Sequence, residues 1–231
     1  MTPYNFDNIS DSHDPSFKRD KDPLDMMMAP DDYSRMLRTI KNRPGSRSKR
    51  NRDYLIFLLM GNMGLRVGEA AILKFSDFKN IHDTSLPYAK VTALKKEDPR
   101  ARKVIYLHET IADAVKRYIR GHRQKHQPYL FPGKAKPGSV TGFDSGHFSH
   151  RQIARIFQHY CTVCRFKREY STHCMRHMYY SIVLERCANR VFLRDQMGHS
   201  AVPELGVGNT YAHLTNPKVI RECIQDVGAI L

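Results

Sequence analysis

No stretch of this 231-residue chain is long and apolar enough to cross a bilayer. The longest apolar run, Tyr54 to Met60, stops at Gly61 and Asn62, well short of the ~20 residues a membrane helix needs. Residues 1–14 are polar and acidic and hold no apolar leader segment, so a cytoplasmic protein is expected. Cysteine is sparse too: Cys161, Cys164, Cys174, Cys187 and Cys223 are an odd set in a chain long enough not to need staples, and reduced thiols are the expected state. What remains, 41% hydrophobic and 26% charged residues, suffices for one sizeable core.

Acidic residues are in short supply, and unevenly so. Lys and Arg number 38 against 23 Asp and Glu, a formal +15. Residues 1–32 hold eight of the acids and only three bases, which leaves 35 bases and 15 acids, a surplus of +20, on residues 33–231. Such a surplus repels itself on a folded body, and a polyanion relieves it by releasing condensed counterions. Nucleic acid is the expected partner, with no membrane.

Residues 1–29, rich in Asp, Ser and Pro, read as an acidic, disordered tail, and residues 30–231 as one folded domain. Tyr33, Met36, Leu37 and Ile40 share one face of a first helix capped by Asp31 or Asp32 and ended at Pro44-Gly45. A loop from Lys41 to Arg52 follows, whose Arg43, Arg47, Lys49, Arg50 and Arg52 suit phosphate contacts. Helices are expected at about 53–62 and 67–73. Val91, Ala93, Val104, Ile105 and Leu107 then flank a polar segment containing Lys95, Lys96, Arg100 and Arg102, the pattern of a β-hairpin with a long basic tip. Further helices are expected at about 108–121, 148–163, 173–187, 190–197 and 216–227, with a loop over 132–146. The fold class expected is α+β, mainly helical, with a small antiparallel sheet.

Four short motifs carry chemistry: Gly64-Leu65-Arg66-Val67-Gly68-Glu69, His173-Cys174-Met175-Arg176, Met197-Gly198-His199-Ser200 and Tyr211-Ala212-His213. They offer two guanidinium groups for a phosphate, two imidazoles for proton transfer or hydrogen bonding, and a phenol as nucleophile. In this order and approximate spacing, over roughly residues 30–225, they resemble the tyrosine recombinase, or phage integrase, family. The segment Asn62 to Leu73 with Asp77 looks like the family's first-arginine motif, and the other three resemble its His-x-x-Arg box, Leu-Gly-His-Ser element and nucleophile motif.

The resemblance implies a site-specific recombinase whose Tyr211 attacks a DNA phosphodiester and forms a 3′-phosphotyrosine, conserving bond energy so that a 5′-hydroxyl can reverse the step. It implies that Arg66 and Arg176 stabilise the charge gained in the transition state, that His173 assists proton transfer from the tyrosine, and that His199 hydrogen-bonds the phosphate or leaving-group side. The hairpin lysine that protonates the leaving oxygen takes the position of Lys95, with Lys96 as its rival. Glu69, one turn after Arg66, is placed to orient an active-site partner. Neither ATP nor a metal is implied. The family also implies four protomers on two duplexes, with a monomer or weak oligomer when free, and a C-terminal helix whose Val219, Ile220, Cys223, Ile224 and Val227 pack on a neighbour.

The chain departs from the family pattern in two places. The interval from His199 to Tyr211 is a few residues longer than usual, and its Pro203, Gly206 and Gly208 mark a flexible loop. Many members also precede this domain with a helical DNA-binding domain, where here an acidic tail and one helix stand. Competing readings are a type IB topoisomerase-like nicking and resealing enzyme, which shares the chemistry, and a catalytically idle regulator of the same fold. Cys161-x-x-Cys164 with Cys174-x-x-His177 has zinc-like spacing. The first pair, however, lies within an amphipathic pattern where cysteine serves as a small hydrophobe, and no metal is expected.

Overall fold

The computed structural model describes residues 27–83, 86–94, 101–122, 127–133, 146–187, 189–198 and 216–231. In chain order these form α1 (Pro30–Asn42), α2 (Arg47–Met63), α3 (Val67–Ala71), a 3-10 helix (Phe75–His82), β1 (Tyr88–Thr92), β2 (Arg102–Tyr106), α4 (Glu109–His122), α5 (His150–Val163), α6 (His173–Arg186), α7 (Arg190–Met197) and α8 (Pro217–Val227). The strands form an antiparallel pair in which Ala89 faces Ile105 and Val91 faces Lys103. No helix of the described residues is long and apolar enough to cross a membrane.

Helix α2 is the centre of the fold because its second half is apolar all round: Leu55 to Met60 and Met63 are all at most 2% exposed. Each such side chain contributes roughly 1.5–3 kcal/mol on burial. Helices α1, α4 and α6 pack around it, presenting one-sided apolar faces such as Tyr33, Met36, Leu37 and Ile40 of α1. The hairpin rests on the 3-10 helix through β1 and on α7 through β2.

Three local expectations are corrected. The basic stretch after α1 is helix rather than loop: Ser46 accepts the N–H of Lys49 and starts α2 at Arg47, so Arg47, Lys49, Arg50 and Arg52 stand on its first turns. Asp31 and Asp32 do not cap α1, which Ala29 and Pro30 begin; the Asp32 carboxylate instead accepts from Tyr170 and Arg35, each at 2.8 Å. Packing also begins before Pro30, since Met28 is buried and its N–H donates to the Cys174 carbonyl at 3.2 Å.

The stripe of α8 is buried against its own chain rather than left for a neighbour: Ile220, Cys223, Ile224 and Val227 are at most 9% exposed, and α8 packs on α6. Asn62 ties the terminus down, accepting the Ile230 N–H at 2.8 Å and donating to its carbonyl at 2.9 Å.

Gly64 ends α2 in the left-handed region, with φ +57°. A Cβ there would lie 2.6 Å from Tyr179 Cδ1 and 2.8 Å from Met197 Sδ, so the glycine lets α6 and α7 approach the end of α2. Gly64→Ala is expected to cost about 2–4 kcal/mol, the left-handed penalty plus overpacking. Denaturant unfolding checks this, and an unchanged midpoint would contradict it.

Candidate active site

Three separate segments meet where α2 ends. Arg66 opens α3, and the Glu69 carboxylate of that helix's first turn accepts the Arg66 backbone N–H at 3.0 Å through Oε2, while Oε1 lies 3.4 Å from Arg66 Nη1. Arg176 reaches the same place from α6. Arg176 is 4% exposed, and its guanidinium donates through Nη1 to the Gly64 carbonyl and through Nη2 to the Met197 carbonyl at 3.1 Å. One arginine therefore links the ends of α2 and α7 beside the other.

A fourth group completes the cluster. Lys103 lies on the inward face of β2, and its Nζ donates to Glu69 Oε2 at 2.8 Å with 3% of the side chain exposed. Its stem packs on Gly198, where an added Cβ would come 2.8 Å from Lys103 Cδ; Gly198 ends α7 at φ +67°. In the sequence Lys103 closes the basic segment of the hairpin, and in the fold it belongs to β2. Its signal was strand alternation, which places it on the face of Ala89, Val91 and Ile105.

Burial alone would raise the Glu69 pKa, but the charges of Lys103 and Arg176, with hydrogen bonds from Lys103 and Arg66, hold it below the usual carboxylate range. For Lys103, burial is the largest influence and lowers its pKa; Glu69 opposes this while Arg176 and Arg66 add to it, leaving the ammonium at about 8. Among the described residues, three cations thus surround one ionised carboxylate in a largely dry recess. The imbalance suits a bound anion, and planar forks suit the tetrahedral oxygens of a phosphate.

His173 begins α6, one turn before Arg176, with its ring 4.6 Å from that of His177 in an edge-on arrangement. Lys95, Lys96, Arg100, His199 and Tyr211 lie outside the described residues.

Several basic residues expected to face a polyanion are engaged within the chain. Arg43 donates to Tyr160 Oη at 3.2 Å, that hydroxyl donates to Asp53 Oδ2 at 3.1 Å, and Asp53 Oδ1 accepts from Arg52 Nη2 at 2.6 Å. Arg52 also sits over the Phe148 ring. Arg50 donates to the Arg43 and Gly45 carbonyls. Arg102 braces the hairpin against the 3-10 helix through Asp77, Thr92 and the Lys90 carbonyl. Arg47 and Lys49 are exposed.

The zinc alternative gains no geometry: among the described residues no three His, Cys, Asp or Glu side chains are grouped to hold a metal. The Cys164 thiol instead donates to Thr39 Oγ1 at 3.4 Å, and Cys174 Sγ accepts the Ser171 N–H at 3.4 Å.

Residues 26–217 match the phage integrase family. The chain is 27% identical over 168 residues to a tyrosine recombinase of Pseudothermotoga lettingae, across 73% of this chain and 51% of that protein. It is 25% identical over 169 residues to tyrosine recombinase XerD of Lacticaseibacillus casei, across 73% and 53%. It thus spans about half the length of the curated relatives it matches. In fold it resembles the XerH site-specific recombinase bound to difH substrate in a pre-cleavage complex, with a TM-score of 0.61 at 13% identity over 85% of this chain and 53% of that one. The crystal structure of XerA recombinase gives 0.57 at 22% identity, over 86% and 64%. The lambda integrase catalytic core gives 0.54 at 14% identity, over 75% of this chain and 94% of that one. The α+β, mainly helical architecture with its small antiparallel sheet is that of tyrosine recombinase catalytic domains.

Proposed function

From the premise that the chain belongs to the phage integrase family, we propose that it cuts and rejoins double-stranded DNA site-specifically through a 3′-phosphotyrosine at Tyr211. The observation that carries this reading is the convergence of Arg66 and Arg176 around Glu69 from distant points of the chain. Attack on a phosphodiester places added negative charge on the non-bridging oxygens, and guanidinium donors fixed in advance stabilise it without reorganising. Arg176 is held by two carbonyls that fix its plane.

In this reading His173 assists removal of the Tyr211 proton, Lys95 protonates the departing 5′-oxygen, with Lys96 as the alternative, and His199 hydrogen-bonds the phosphate. Lys96 and Arg100 of the hairpin tip contact the DNA backbone, as do Arg47 and Lys49, which project from the first turn of α2. Arg43, Arg50, Arg52 and Arg102 serve first as internal braces. Recombination further requires protomers assembled as a tetramer on two duplexes. The burial of the α8 stripe within its own chain supports a monomer or weak oligomer before DNA is bound.

Strand transfer between two differently labelled duplexes carrying the target site tests the reading. Product joining strands of both duplexes is expected. Nicking and resealing that never joins the two labels would identify a topoisomerase-like enzyme, and binding without any cleavage would identify a regulator of the same fold.

A further inference from the structure

Lys103 has no assigned part in the chemistry above, yet it touches the supports of both arginines. Its Nζ and the Arg66 backbone N–H share Glu69 Oε2, at 2.8 and 3.0 Å. Its stem lies against Gly198, the residue after the Met197 carbonyl that holds Arg176. A lysine on the apolar face of a strand, 3% exposed, is costly to bury and tolerable only when paired. Its position therefore calls for an explanation beyond core packing, since the facing Val91 shows that an aliphatic side chain suits this face.

We propose that Lys103 is a positioning residue of the phosphoryl-transfer site: its ammonium takes up the charge of Glu69 and so fixes the place from which Arg66 meets the scissile phosphate. This rests on the recombinase reading. Without the ammonium, Glu69, itself 0% exposed, draws Arg66 Nη1 from its present 3.4 Å into a closer pair, and the guanidinium turns away from the anion. Lys103 acts through Glu69 and does not itself meet the leaving oxygen.

Among the described residues, the charged groups facing Lys103 are Glu69 of α3, Arg66 ahead of that helix and Arg176 of α6; α7 offers the backbone at Gly198 and β1 the apolar Val91. Burial beside two arginines leaves Lys103 titrating at about 8. The clamp is complete below that pH and is lost above it. Glu69 works against the drop, and because the clamp matters only while Glu69 is charged, removing that charge removes the pH dependence.

Single-turnover cleavage of a nicked suicide duplex tests the proposal. Lys103→Met is expected to cleave ~30-fold more slowly, as for other groups that orient a site residue, with unchanged half-site affinity. A 5′-phosphorothiolate leaving group, which needs little protonation, should not restore it. The double variant Glu69→Gln/Lys103→Met should recover ~5-fold over Lys103→Met, because no buried carboxylate competes for Arg66. Wild-type cleavage should fall as pH rises through about 8, and Glu69→Gln should lose that fall, because no buried carboxylate is left to draw Arg66 away; neither observation requires Lys103→Met to fold. Full rescue by the phosphorothiolate would make Lys103 the general acid and overturn the positioning role. Wild-type cleavage by Lys103→Met, a double variant no faster than the single, or a wild-type chain whose rate is flat across that pH range would also overturn it. If the wild-type chain forms no adduct at all, the recombinase reading falls and this inference with it.

Discussion

Arg66→Ala and Arg176→Ala should each slow DNA cleavage at least ~100-fold, the loss expected when a preorganised donor to the transition state is removed. The two variants should differ in stability. Arg176 is buried and holds the carbonyls of Gly64 and Met197, so its removal leaves two acceptors without their donor, at about 1–3 kcal/mol each. Arg66 is more exposed and its side chain meets Glu69 near the start of a short helix, so its loss should be mainly kinetic. Arg176→Lys retains the charge but cannot span both carbonyls, and should remain far below wild type. Single-turnover cleavage beside thermal unfolding separates these effects. Near-normal cleavage by a folded Arg66→Ala would remove that residue from the site.

The parts of the fold legible in the sequence are those with a one-sided pattern. The hairpin and helices α4 to α8 follow from alternation or from 3.6-residue spacing, and their ends lie within a residue or two of expectation. Helix α2 was read too short for two physical reasons: its first turns carry the charges of Arg47 to Arg52, and its second half is apolar all round and so has no face to detect. The 3-10 helix at Phe75–His82 went unread because its start depends on Asp77 accepting the Lys74 N–H at 2.9 Å rather than on periodicity.

The site was legible in part. Arg66, Glu69 and Arg176 stand in short motifs, but Arg66 and Arg176 are far apart along the chain, and their proximity depends on Gly64 admitting α6 and α7. Lys103 shows the limit of reading charge as surface. The residues that lead up to it include the basic Arg100 and Arg102, whereas its partner across the sheet, Val91, is apolar. The brace from Arg43 through Tyr160 and Asp53 to Arg52 joins residues more than a hundred positions apart, beyond any local pattern. A basic strip was visible; which of its members are free to meet DNA was not.

The central claim is that one phenol, Tyr211, becomes joined to DNA. Tyr211→Phe removes only the hydroxyl, so DNA binding, which depends on phosphate contacts elsewhere, should persist while the covalent step disappears entirely. The most direct measurement is capture on a nicked suicide duplex carrying the target site, in which the short fragment bearing the 5′-hydroxyl diffuses away and rejoining is prevented. The wild-type chain should accumulate as a 3′-linked complex that survives denaturant and is destroyed by protease, and the Tyr211→Phe chain should yield none at equal DNA occupancy. A 3′-linked adduct formed by Tyr211→Phe would contradict the account, because another residue would then be the nucleophile.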